Sequence, residues 1–276
     1  AVSGAGLDAA STQTALTAAT TVTSSYERSR VLQAVTKAAP AGGDLDPLYF
    51  DAVTGIDSDY EKARVLTAYA QHDNLSEASL GRLYASAETI TSSNELANLL
   101  QTSIGGSRSA GARCGGYLKA ASHIDSDFDK ARALMALQGA TTLPSACAAS
   151  SAAVAGSIQS SNDRARVLVD FAGRGLLTDA TRVEFFRAAR GTDSSYELRR
   201  ILTAVLAQGR LSIALLGDVL DTAGAIDSDN DLASVLVAAA GTGQIVDAVR
   251  PAYLRAAAHL SSDYERKRAL AAIGAP

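Results

Sequence analysis

Ser58-Asp59-Tyr60-Glu61-Lys62-Ala63-Arg64-Val65-Leu66 is one of eight occurrences of a single phrase, Ser-x-x-acid-x-x-Arg-x-Leu, in which Asn98 and Ser234 replace the arginine of the third and seventh units. Its closing leucines are Leu32, Leu66, Leu100, Leu134, Leu168, Leu202, Leu236 and Leu270, each 34 residues after the last. A fixed period of this length marks a unit that cannot bury its apolar face alone and stacks on copies of itself. Eight such units use nearly all of the 276 residues, so the pattern predicts one domain over residues 1–276.

Each phrase reads as the start of a helix. Ser58 stands three residues before Glu61, the capping-box spacing. In that motif the serine hydroxyl accepts an orphan backbone N–H and the acid reaches back to the serine N–H. The serine recurs as Ser24, Ser58, Ser92, Ser126, Ser160, Ser194, Ser228 and Ser262. The acid recurs as Glu27, Glu61, Glu95, Asp129, Asp163, Glu197, Asp231 and Glu265. Each cap is worth roughly 1 kcal/mol. Behind it, Ala63, Val65, Leu66 and Tyr69 form an apolar stripe at helical spacing, repeated by Ala131, Ala133, Leu134 and Leu137.

A second helix precedes each phrase. Residues 76–89, 178–191 and 247–259 read as helices, and Leu16, Phe50, Tyr84, Leu118, Phe186, Leu220 and Leu254 hold equivalent apolar positions in this set. Polar or glycine-bearing stretches at 71–74, 173–175 and 207–210 join the two halves. An apolar residue such as Ile56, Ile90, Ile124, Ile158 or Ile226 lies two before the serine; Thr192 is the exception. The expected fold is all-α: a right-handed α-solenoid of eight 34-residue helix–turn–helix repeats. At 8–10 Å between helices it would run roughly 80 Å, with one concave and one convex surface.

Composition narrows the function classes. Hydrophobic content of 47% supplies a core, mostly from small side chains suited to close helix stacking. A net charge of −4 and a pI near 5.4 argue against nucleic acid as a partner. No apolar run is long enough to insert in a membrane. The chain opens at Ala1 without an initiator methionine, which fits either a removed leader or a piece of a longer protein. The excess of arginine over lysine and the many alanines fit a GC-rich bacterial coding bias.

The 34-residue period matches tetratricopeptide repeats, but their Trp, Gly-x-x-Tyr and terminal Pro landmarks are missing. The stretches Ile56-Asp57-Ser58-Asp59-Tyr60-Glu61-Lys62-Ala63-Arg64-Val65-Leu66 and Ile124-Asp125-Ser126-Asp127-Phe128-Asp129-Lys130-Ala131-Arg132-Ala133-Leu134 resemble HEAT-like helical repeats of bacterial envelope proteins. These include extensions attached to membrane-anchored metallopeptidases of the BlaR type. The resemblance implies a scaffold or sensing extension in the envelope. It carries no peptidase activity, because His-Glu-x-x-His does not occur.

Residues with chemical potential are few. His123 and His259 share one repeat position near a helix end, where a ring nitrogen meets free carbonyls, and His72 lies in a turn open to solvent. No nucleophile elbow, Ser-x-x-Lys or phosphate loop occurs; Gly105-Gly106 and Gly115-Gly116 read as loop or close-packing glycines. No cofactor or metal is expected. Glu27–Arg30, Glu61–Arg64, Asp129–Arg132, Asp163–Arg166, Glu197–Arg200 and Glu265–Arg268 are spaced for ion pairs along one helix face, each worth a few tenths of a kcal/mol. Cys114 and Cys147 fall one residue apart in repeat register; they form either a disulfide, which would imply an oxidising compartment, or two buried thiols.

Departures from the phrase are candidate contact points. The position after the acid is basic in five units (Arg28, Lys62, Lys130, Arg164, Arg266) but leucine in three, at Leu96, Leu198 and Leu232. An apolar residue at a solvated position marks a contact patch, or else touches the adjacent unit. Tyr26, Tyr60, Phe128, Tyr196 and Tyr264 share one first-turn position, as binding anchors or as lids over the core. The expected function is a non-enzymatic scaffold binding a protein or peptide, periplasmic or extracellular. The alternatives are a structural subunit self-associating through its repeat ends and, remotely, an enzyme with a scattered site.

Overall fold

The computed structural model describes residues 7–39, 43–72, 75–104 and 110–275; Gly105-Gly106 and part of the 71–74 joint lie outside them. Sixteen α-helices and no strand occur among the described residues. They fall into two compact units, residues 1–143 and 144–276. The first holds α1 (Ala9–Thr21), α2 (Ser25–Ala38), α3 (Asp46–Thr54), α4 (Asp59–Ala70), α5 (Glu77–Ala87), α6 (Ser93–Ile104), α7 (Ala110–Ser122) and α8 (Asp127–Gln138). The second holds α9 (Ser145–Ala155), α10 (Ser161–Gly173), α11 (Arg182–Arg190), α12 (Ser195–Leu206), α13 (Ile213–Ala223), α14 (Asp229–Gly241), α15 (Arg250–Ala258) and α16 (Asp263–Ala272).

Within each unit the helices form two layers. Even-numbered helices pack on even-numbered ones, odd on odd, and consecutive helices close the space between the layers. Seven closing leucines, Leu32 through Leu236, are wholly buried at this seam, and Leu270 is half-buried. In the odd layer Leu16, Phe50, Tyr84, Leu118, Phe186 and Leu220 are buried, while Leu254 is 41% exposed. Aromatic side chains thicken both cores. Tyr49, Phe50 and Tyr69 meet with centroids 4.9–5.4 Å apart, and Phe171, Phe185 and Phe186 cluster in the second unit.

Helices α11 and α15 begin later than the periodicity predicts. Thr181 Oγ1 takes the Thr178 N–H at 2.9 Å and donates to the Leu176 carbonyl at 2.8 Å, holding a turn where a first helical turn was expected. Pro251 sits in the first turn of α15 and, lacking an N–H, is tolerated only there.

All eight serines cap as expected, each Oγ accepting the N–H of the acid three residues on at 3.2–3.4 Å. The other half of the capping box is corrected. The N–H groups of Ser92, Ser126, Ser228 and Ser262 donate to the first helical residue of the preceding even-numbered helix: Asp59, Ser93, Ser195 and Asp229, at 2.7–3.3 Å. The acids are free to pair instead with arginine, and all six expected pairs form at 2.6–3.2 Å.

The basic position after the acid is also corrected. It is not solvated: Arg28, Lys62, Lys130 and Arg164 are only 5–8% exposed. Arg28 Nε donates to the Val22 carbonyl at 2.7 Å, Arg164 Nε to Ile158 at 2.9 Å and Arg266 Nε to Leu260 at 3.1 Å. Each thereby satisfies a carbonyl left over where the preceding helix ends. The far side of the guanidinium lies against a glycine 27 residues on. A Cβ on Gly55 would stand 1.4 Å from Arg28 Nη1, and one on Gly191 would stand 2.7 Å from Arg164 Nη1. Where the base is the shorter Lys62, the equivalent residue is Thr89, whose Oγ1 accepts from Lys62 Nζ at 3.1 Å.

This pairing is testable. Gly55→Ala should destabilise the protein by about 1–3 kcal/mol through overpacking. Combining Gly55→Thr with Arg28→Lys, which copies the Lys62–Thr89 pair, should recover most of the loss. Urea denaturation of the single and double variants reads the coupling, and additive losses would refute the contact.

The capping carboxylates predict a pH effect. Desolvation would raise the Asp59 pKa. The Thr91 hydroxyl, the N–H groups of Ser92 and Thr91 and the charge of Lys62 outweigh it, holding the carboxyl below its ordinary 3.8. A depressed native pKa adds stability that is complete above the unfolded value and lost as pH falls through the native one. Asp59→Ser, which installs the residue of the Ser93 cap, should fold normally at pH 7 and lose less stability than the parent between pH 5 and pH 2. Chemical denaturation at the two extremes measures this, and an identical pH dependence in both proteins would refute it.

Candidate interaction surface

The even-numbered helices begin alike. With serine outside the helix and the acid committed to arginine, the residue between them points away from the core. Tyr26, Tyr60, Phe128 and Tyr196 are 52–56% exposed and Tyr264 is 73% exposed. They are therefore not lids over the core.

An arginine one turn on covers part of four of these rings. Arg30, Arg64 and Arg132 carry their guanidinium carbons 5.5–5.8 Å from the centroids of Tyr26, Tyr60 and Phe128. In the second unit Arg199 and Arg200 lie 5.0 and 5.9 Å from the Tyr196 centroid. At exposed sites such contacts stabilise by about 0.5–1 kcal/mol. That is less than full burial of an aromatic side chain provides, so each ring keeps a driving force to be covered. The same arginines hold the acids, so the surface alternates aromatic faces with charge pairs.

Helix α6 lacks both members, having Asn94 and Asn98 in their place. Arg132 fills the gap from α8, donating to Asn98 Oδ1 at 2.8 Å and Asn94 Oδ1 at 3.4 Å. A continuous polar strip therefore runs between Tyr60 and Phe128.

Leu96, Leu198 and Leu232 are not on this surface. They are 0–1% exposed, buried at the position that the basic residues share. The expected contact patch fails because that position never faced solvent. His72 is likewise not free in its turn, since its Nε2 lies 3.0 Å from the Thr36 carbonyl. His123 Nδ1 meets the Lys119 carbonyl at 2.9 Å, the helix-end role its position predicts. Cys114 in α7 and Cys147 in α9 are buried and disulfide-bonded, with no free cysteine among the described residues.

No cluster of three metal-ligating side chains occurs among the described residues, and no described helix is long and apolar enough to cross a membrane. Sequence reasoning missed a cleft between α3 and α5, floored by Lys62; its signal was the lysine–threonine exchange opposite arginine–glycine. Comparison with known proteins returns no match among protein-family models, curated proteins or solved structures.

Burial of the leucines makes a sharp expectation. Leu232→Ala should cost about 2–4 kcal/mol, as a cavity in a packed seam does. A melting temperature equal to the parent's would overturn its assignment to the core.

Proposed function

We propose that the chain is a right-handed α-solenoid of eight 34-residue helix–turn–helix repeats, acting as a non-enzymatic scaffold that binds an extended peptide along the first turns of its even-numbered helices. The observation that carries this reading is the row of half-exposed aromatics, each backed by an arginine from its own helix. A tyrosine or phenylalanine kept out of the core at the same position of unit after unit is a poor choice for folding and a good one for recognition. Rigid rings lose little entropy on contact, and arginine supplies a donor fork for carboxylates.

Geometry sets the spacing of the ligand. Neighbouring even-numbered helices stand about 8–10 Å apart, and an extended peptide advances about 3.3 Å per residue. Side chains at i and i+3 would reach Tyr26 and Tyr60, with i+9 reaching Phe128. Burial of each ring would contribute roughly 2 kcal/mol. Oxidised cysteines support a periplasmic or extracellular setting. That is the envelope role implied by the resemblance to helical extensions of BlaR-type proteins.

Selection from a displayed random-peptide library against the whole chain tests the proposal. Selected peptides should carry anchors at the i, i+3 spacing and lose at least about tenfold in affinity against a Tyr60→Ser, Phe128→Ser double variant. That variant should stay folded, losing no more than about 1–2 kcal/mol with the two ring–arginine contacts, because both rings lie outside the core. Peptides that bind parent and variant alike would overturn the assignment of this surface.

A further inference from the structure

Lys62 differs from the arginines that share its repeat position. Arg28, Arg164 and Arg266 spend their guanidinium groups on backbone carbonyls. Lys62 is only 8% exposed, yet its ammonium has one hydrogen bond among the described residues, to the neutral Thr89 hydroxyl at 3.1 Å. Asp59 feels its charge, but that carboxylate is engaged by Thr91 and Ser92 and forms no ion pair with it. A buried ammonium with donors to spare is costly unless something meets it.

What lies in front of it is a cleft of about 540 Å³ between α3 and α5. Its chemistry is divided. Pro47, Phe50, Val53 and Ala85 make an apolar wall, while Arg82 stands with Lys62 among the hydroxyls of Thr54, Ser86 and Thr89. Arg82 forms no ion pair among the described residues, nor does Asp51, the one carboxylate in the lining. The cations therefore outnumber the anion, and none is neutralised by contact. The volume falls in the range of small-ligand sites.

We propose that this cleft binds a small organic monocarboxylate, its carboxylate held by Lys62 and Arg82 and its apolar body lying on Phe50, Pro47 and Ala85. A single negative charge is selected over a phosphate dianion for two reasons. Asp51 already offsets one of the two cations. The C-terminal ends of α3 and α5 also converge here, and the negative ends of their helix dipoles add negative potential. The site owes its space to the local exchange of arginine for lysine. Where Arg28 fills the equivalent position, the guanidinium runs onto Gly55 and takes up that space, with Nε and Nη2 bonded to backbone carbonyls.

The test is a titration of the whole chain with sodium hexanoate, followed by saturation-transfer NMR, alongside hexanol and inorganic phosphate. Hexanoate should bind saturably, with hexanol weaker by at least about tenfold because it lacks the charge. Arg82→Gln, an exposed change that leaves the core intact, should weaken hexanoate at least about tenfold, and Lys62→Met should do the same. Absence of saturation, equal binding of hexanol, tighter binding of phosphate, or an Arg82→Gln protein that binds as the parent does would each overturn the proposal. Peptide binding at Tyr60 and Phe128 should be unaffected by hexanoate, so the two sites fail or succeed separately.

Discussion

The structure depends on how one helix start is tied to the next. Each even-numbered helix opens with a serine whose hydroxyl takes an N–H from inside its own first turn. The serine's own N–H is then unspent, at a point where the chain has left the previous helix and has no regular partner. The side chain that meets it comes from the first residue of the neighbouring even-numbered helix, an aspartate at Asp59 and Asp229 and a serine at Ser93 and Ser195. A backbone donor buried without a partner would cost about as much as a lost hydrogen bond. The neighbour's first turn is therefore fixed in height as well as in distance. Apolar packing brings the helices together, but it tolerates sliding; these bonds set the register.

Much of this was legible because it is local. Serine caps and acid–arginine pairs act at separations of three residues, and the closing leucines follow from helical spacing. The first-residue acceptors were not legible as such. An aspartate or serine there already has a sufficient local explanation in the helix dipole, and its partner lies 32 or 33 residues away. The basic residues were misplaced for a similar reason. Lysine and arginine after an acid look solvated, and only the glycine or threonine 27 residues later shows that something large or small must fit against them. His72 was misread because its acceptor, the Thr36 carbonyl, belongs to the end of α2.

The aromatic surface was visible in the sequence as a position but not as an exposure. A tyrosine in the first helical turn serves equally to cover a core or to face outward, and neither composition nor period separates the two. The arginine four residues on decides it. Salt-bridged to the acid beside the aromatic, it is held over the ring's outer face, leaving the core side to Leu66 and its equivalents. Three residues that sequence reading treated as an ion pair and a separate aromatic are one assembly.

Variation among the units then divides into two kinds with different physical meaning. At the buried basic position the residue changes in step with its counterpart 27 residues on: Arg28 with Gly55, Arg164 with Gly191, and Lys62 with Thr89. The leucines stand in the same relation to His123, Ala225 and His259. A guanidinium set against threonine would clash, and a lysine set against glycine would leave a void, so the size match favours each helix pair beside its own neighbour. At the exposed aromatic position the side chain faces outward without a close-packed counterpart of matched size, and Tyr, Phe and Asn all occur there. The buried variation orders the units, which leaves the exposed variation free to be shaped by what the surface binds.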